Sequence, residues 1–146
     1  MRSRLLVALQ FALIAALVAP WGAPVFGAGA TISGAAAIAA GIAVGLWALF
    51  ENRPGNFNVR PEPRPGGRLV TTGPYRFVRH PMYAAVLLFA AGCAIGYGEP
   101  WRGVLFVALA AVLHVKAGIE ERLLAAAHPG YADYARRTPR LVPFLR

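Results

Sequence analysis

Gly73-Pro74-Tyr75-Arg76-Phe77-Val78-Arg79-His80-Pro81-Met82-Tyr83 carries a basic, aromatic segment straight into an uncharged one that continues to Gly98. Two arginines, a histidine, two prolines and two tyrosines fall within these eleven residues. Pro81 marks the first position of a helix, because its missing N–H is one that a helix start leaves unpaired anyway. The 18 residues from Pro81 to Gly98 contain no charge, which is the length and character of a membrane span. The stretch therefore reads as a helix entrance at a membrane surface, and the rest of the chain can be placed around it.

With 146 residues the chain suits a single domain, but 58% hydrophobic and 14% charged residues, with a mean hydropathy of +0.52, exclude an ordinary soluble one. No charge occurs between Leu5 and Phe50. As helix that run would extend about 69 Å, roughly twice the hydrocarbon thickness of a bilayer, so it divides into two spans. The break falls at Trp21-Gly22-Ala23-Pro24, just after Pro20. Leu5 to Ala19 is expected to be a retained span rather than a secretory leader cleaved near Ala28-Gly29-Ala30, because a second apolar run follows so closely. In that second run Gly41 and Gly45 form a small-xxx-small pair that would let another helix approach. Beyond Gly98, Glu99-Pro100-Trp101-Arg102 permits only an antiparallel hairpin. A fourth helix then runs from about Trp101 towards Ala127 and stops at His128-Pro129-Gly130.

These readings predict an all-α fold, an integral membrane helical bundle with about four transmembrane helices in one membrane domain. Residues 1–50 hold two spans, 51–80 a loop and the opening motif, 81–127 a helical hairpin and 128–146 a C-terminal segment. The formal charge of +9 is gathered in blocks between apolar segments. This is the positive-inside pattern, and it predicts both termini, the 51–80 loop and the active site on the cytoplasmic side of the cytoplasmic membrane. It accounts for the charge without nucleic acid as a partner. Prolines at 54, 61, 63 and 65 keep the stretch from Glu51 to Gly67 out of helix, and its length favours a flap over a site. Cys93 stands alone in an apolar run, and His80, His114 and His128 have no ligand spacing, so no metal site is expected.

Spacing points to a site. His80 lies 19 residues before Glu99 and Glu120 lies 21 after it. In an antiparallel helical pair, equal separations from the turn mean equal depth, so Arg79 and His80 should lie level with Lys116 to Glu121. The exposed N–H groups at the start of the third helix, with Arg79 and His80, suit an anion. Glu120 or Glu121 could accept from an ammonium or from sugar hydroxyls. Tyr75, Phe77 and Tyr83 offer aromatic faces. A zwitterionic ligand with an aromatic base would match both clusters.

Gly73-Pro74-Tyr75, Arg79-His80-Pro81-Met82-Tyr83, Glu120-Glu121 and the tail Tyr131-Ala132-Asp133-Tyr134 with Pro143 together resemble the isoprenylcysteine carboxyl methyltransferase family and, more distantly, the membrane phospholipid methyltransferases. The resemblance covers roughly residues 56–146. It implies an integral membrane enzyme that takes S-adenosylmethionine from the cytosol and methylates a lipophilic or small-molecule acceptor, most readily a carboxylate. It implies a cofactor pocket of Tyr75, Arg79, His80, Pro81, Tyr83 and Glu120. Lys116, one helical turn before the acidic pair, corresponds to a basic residue that orients the acceptor in relatives, and Glu121 is expected to take part in catalysis. Ala85 departs from the glycine that many relatives carry, and His128-Pro129-Gly130 replaces their Phe-Gly segment. A thiol or lipid-amine acceptor remains an alternative, as does a non-enzymatic membrane scaffold that keeps the fold.

Overall fold

The computed structural model of the chain describes residues 2–20, 28–52, 56 and 66–143. Five α-helices account for most of them: α1 (Arg2–Val18), α2 (Ala28–Asn52), α3 (Pro81–Tyr97), α4 (Pro100–Ala127) and α5 (Tyr131–Arg137). No strand occurs among the described residues. The expected break at Trp21 to Pro24 and most of the Glu51 to Gly67 loop lie outside them.

Proline and glycine set the helix ends. Pro81 and Pro100 open α3 and α4 at their first positions. Gly98 closes α3 in the left-handed region at φ 64°, its N–H donating to the Ala94 carbonyl at 3.0 Å. That two-residue turn makes α3 and α4 the expected antiparallel hairpin. The other end of α4 stops at His128, before Pro129, with the His128 N–H donating to Leu124 at 2.8 Å.

Helices α2 and α4 are long and apolar enough to cross a membrane by length and composition. Helices α1 and α3 are apolar but shorter, at 17 residues each. Small residues let apolar helices pack closely, and α2 meets α3 through glycines. A Cβ on Gly41 would lie 2.7 Å from the Phe89 nitrogen and 2.8 Å from the Ala85 oxygen. One on Gly34 would lie 2.8 Å from the Gly92 oxygen, and one on Gly92 2.6 Å from the Gly34 oxygen. Gly41 thus fulfils the packing role expected of it, whereas Gly34 and Gly92 extend the seam further than the Gly41/Gly45 pair implied. Gly45 itself sits looser, with Ala85 Cβ at 3.5 Å. On the opposite side of α3, Leu17 of α1, Ala90 of α3 and Leu109 and Leu113 of α4 form a fully buried apolar cluster.

Arg102 ties α1 to the hairpin. It is completely buried, and its guanidinium donates to the Leu17 carbonyl, to Ala19 at 3.0 Å and to Glu99 at 2.5 Å. It also lies 3.9 Å from the Tyr97 ring centre and 4.6 Å from that of Trp101. A cation on the last carbonyls of α1 satisfies groups a helix end leaves open and complements its dipole.

Replacing Gly41 with leucine should part α2 from α3 and cost about 1–3 kcal/mol, the usual penalty of overpacking. Thermal unfolding in detergent should show a lowered midpoint for Gly41→Leu. Gly103→Ala, whose new Cβ meets nothing within 4 Å, should leave the midpoint unchanged.

Candidate active site

The turn before α3 is built locally. Residues Gly73–Arg76 form one 3-10 turn, and Gly73 adopts φ 57° with the Glu51 carboxylate packed where a Cβ would stand, at 2.7 Å. Only glycine meets both demands. Thr72 Oγ1 donates to the same carboxylate at 2.5 Å, joining the motif to the end of α2. The chain then turns into α3 with His80 as N-cap. The Arg79 and His80 N–H groups donate outward, to the Pro139 carbonyl at 2.8 Å and the Arg140 carbonyl at 3.1 Å. The C-terminal segment is therefore laid along the helix entrance.

The equal-depth expectation is met. His80 Nε2 lies 3.1 Å from Glu121 Oε1, and His80 Nδ1 lies 3.6 Å from Glu120 Oε2. Glu121 is the more enclosed carboxylate. It accepts from Arg79 Nε at 2.9 Å and Nη2 at 2.8 Å, and from Arg140 Nε at 3.1 Å and Nη2 at 2.5 Å. Arg140 also reaches His114 Nε2 at 3.2 Å. Arg79 Nη1 donates to the Ala135 and Thr138 carbonyls, both at 2.7 Å, and so caps the end of α5.

Glu120 is held differently. Its Oε2 accepts from the Tyr83 hydroxyl at 2.9 Å, and its side chain keeps 31% exposure against 13% for Glu121. The Tyr83 ring stacks on His80 with centroids 5.3 Å apart and planes 7° from parallel. Lys116 Nζ lies 5.3 Å from the same ring centre. Lys116 is fully buried and donates to Gln10 Oε1 of α1.

Arg79, His80, Tyr83, Glu120 and Glu121 thus converge. Tyr75 lies behind them, its carbonyl accepting from the Tyr134 hydroxyl at 2.6 Å. Pro81 is buried and turned to the other side of the helix entrance. Lys116 sits one turn deeper than the carboxylates, against Tyr83. Two contributors, Arg140 and Gln10, had no signature in the sequence, and Tyr131 belonged to the tail of the resemblance without being singled out for the site. The Tyr131 hydroxyl is buried yet makes no hydrogen bond among the described residues, with Glu121, Arg79, Glu120 and Arg140 as its electrostatic surroundings. Burial, more than those charges, holds the Tyr75, Tyr131 and Tyr134 hydroxyls well above the ordinary phenol range, so all three remain neutral donors.

An apolar groove of about 470 Å³ begins at the same entrance. Pro74, Val78 and Pro81 line its mouth, Ala84, Leu88 and Ala91 carry it along α3, and Trp47 and Phe106 flank it. Polar cluster and groove share the Pro74 to Pro81 segment.

The chain is similar to known proteins. The sequence pattern of the phospholipid methyltransferase family matches residues 30–129. The cobalt-zinc-cadmium resistance protein CzcN of Cupriavidus metallidurans is 41% identical over 83 residues, which is 56% of this chain and 38% of that protein. The nickel-cobalt-cadmium resistance protein NccN of Alcaligenes xylosoxydans is 36% identical over 83 residues, 56% of this chain and 39% of its own length. The chain thus aligns with well under half the length of either relative.

His80 gives the site a pH signature. Burial favours its neutral form, but the bonds and fields of Glu120 and Glu121 outweigh burial and raise its pKa above the usual 6.5. A raised folded-state pKa means a stabilising contribution that is complete below the unfolded value and is lost as pH rises through the folded one. In detergent, the stability difference between the protein and a His80→Gln variant should therefore be largest below about pH 6.5 and shrink as pH rises further. A difference that instead grew above neutral pH would contradict the imidazolium bridge.

Proposed function

This chain belongs to the phospholipid methyltransferase family, and on that premise we propose that it takes S-adenosylmethionine beside Glu120 and methylates a lipophilic acceptor lying in the apolar groove. The acceptor's reacting group is a carboxylate, as in isoprenylcysteine O-methylation. The observation that carries this reading is the convergence of Arg79, His80, Tyr83, Glu120 and Glu121 beside the Pro74 to Pro81 segment, part of which lines that groove.

The residues present fit such a cofactor. Glu120 is the more open carboxylate, and the partnerless Tyr131 hydroxyl lies in the same shell. A buried hydroxyl without a partner is costly unless a ligand or water completes it. Glu120 would accept from an ammonium or from ribose hydroxyls, with Tyr75 and Tyr131 as neutral donors nearby. Tyr83 and His80 fix the Glu120 rotamer, while Arg79 braces the C-terminal segment across the helix entrance. The bound cofactor would supply a methyl group on a sulfonium, open to in-line displacement. The protein's task is then alignment and exclusion of water.

Lys116, buried one turn deeper, is the cation that would orient an acceptor carboxylate reaching in from the lipid side. Glu121 acts by fixing Arg79, His80 and Arg140, and those three side chains already occupy its acceptor positions. An amine acceptor would need a carboxylate with room to take its proton; Glu121 has none and Glu120 is committed to the cofactor in this reading, which favours an anionic acceptor over a lipid amine. We place all four long helices across the membrane. At 17 residues α1 and α3 reach roughly 26 Å, close to the ~30 Å hydrocarbon core, and the basic blocks put the site on the cytoplasmic face.

Calorimetry with adenosylhomocysteine in detergent should detect binding, weakened at least about tenfold by Glu120→Ala, the loss of a charged hydrogen-bond acceptor. No heat at millimolar ligand would sink the cofactor assignment. Leu88→Trp should fill the groove and raise the KM for a lipophilic acceptor about tenfold or more, with adenosylhomocysteine affinity unchanged. Labelled methyl transfer into lipid, protein and volatile fractions should appear in a base-labile ester, and label in an amine would contradict the carboxylate reading.

A further inference from the structure

Helix α1 lies outside the residues that the family pattern matches, which begin at 30. It nevertheless reaches the site. Gln10 is the one polar side chain between Leu5 and Val18, and it is 7% exposed. A polar group in a membrane helix turns inward and finds a partner, and here the partner is the Lys116 ammonium. Lys116 is completely buried, lies over the Tyr83 ring at 5.3 Å and precedes Glu120 by one helical turn. Tyr83 in turn donates to Glu120 at 2.9 Å. One run of contacts therefore leads from α1 to the carboxylate of the site: Gln10, Lys116, Tyr83, Glu120.

Packing alone would not require this arrangement. The neighbouring contacts of α1 are apolar, through Leu13, Ile14 and Leu17, and its far end is already fastened by Arg102 on the Leu17 and Ala19 carbonyls. The Gln10 carbonyl is a second fastening, made to a cation beside the site. A lysine has a flexible four-carbon stem and a point charge without directional preference. Its position is set by whatever accepts from it.

We propose that Gln10 is a positioning residue for this site: its side-chain carbonyl holds the Lys116 ammonium at one depth and orientation, and α1 is thereby a working part of the active site. The positioning role rests on the reading of Lys116 as the residue that orients an anionic acceptor; the Gln10–Lys116 link does not. The consequence is specific. Loss of Gln10 disturbs acceptor binding and spares the cofactor side, whereas a merely structural residue would disturb both together.

Two measurements on the full chain in detergent test this. The first is a thermal-stability cycle of Gln10→Leu, Lys116→Met and the double variant, which needs no substrate. Direct coupling predicts that the two effects are clearly non-additive, the double variant being more stable than their sum; additive effects would overturn the link. The second follows methyl transfer from S-adenosylmethionine to N-acetyl-S-farnesylcysteine, with adenosylhomocysteine affinity in parallel. Gln10→Leu should raise the acceptor KM about tenfold and leave adenosylhomocysteine affinity within about twofold. Gln10→Glu, which keeps an oxygen for the ammonium, should restore most of the KM. An unchanged KM, or equal loss of acceptor and cofactor binding, would overturn the positioning role. If the unaltered protein binds adenosylhomocysteine but transfers no methyl to this acceptor, the carboxylate reading falls and the positioning role with it, while the stability cycle still judges the link.

Discussion

A single carboxylate, Glu121, joins three parts of the chain that are otherwise separate. Arg79 and His80 come from the entrance of α3, Arg140 from the segment beyond α5, and Glu121 from the lower half of α4. Such a cluster is costly to bury unless every charge is matched, and here the matching is close to complete. Arg79 spends its remaining donors on the carbonyls that end α5, and Arg140 spends one on His114. Remove the carboxylate and two guanidinium groups and an imidazole face one another at the boundary of an apolar bundle. The rest of the site depends on this arrangement, since it leaves the second carboxylate, Glu120, beside the Tyr83 hydroxyl and the Nδ1 edge of His80.

The division of labour between the two glutamates follows from helix geometry. Adjacent residues on α4 point about 100° apart, so one turns towards the C-terminal segment and its neighbour towards Tyr83. Adjacency in the sequence therefore hides a difference in environment. One is saturated by guanidinium groups and the other remains partly open. The apolar groove completes the picture on the other side of α3, where Pro81, Ala84 and Leu88 face away from the carboxylates. The polar chamber and the apolar groove thus lie on two sides of the first turns of one helix and meet at the Pro74 to Pro81 segment that enters it.

Much of this was legible in the sequence, for physical reasons. Uninterrupted apolar runs mark helices that cannot expose backbone to lipid, and Pro81, Gly98, Pro100 and Pro129 mark their ends through missing donors and a left-handed turn. The meeting of His80 with Glu120 and Glu121 follows from counting residues on either side of Glu99. Other features were not legible. Arg140 lies in an irregular stretch with no period to place it, and α5 has only seven residues, too few for a pattern. Gln10 looks like a lone polar residue in an apolar helix until Lys116 is seen beside it, because contacts between α1 and α4 leave no trace in spacing along the chain. The burial of Arg102 was not legible either, because the carbonyls at the end of α1 that it meets lie in a different part of the sequence.

The hairpin turn at Gly98 makes the chain between His80 and Glu120 a ruler. Substitutions on the outward-facing sides of α3 and α4 leave that ruler intact, so composition there is free to drift. Length is not. One residue inserted anywhere between Pro100 and Glu120 would rotate the carboxylate pair by about 100° and move it about 1.5 Å along the axis, away from a histidine now 3.1 Å distant. The hairpin can therefore be rewritten letter by letter, but it tolerates neither insertion nor deletion.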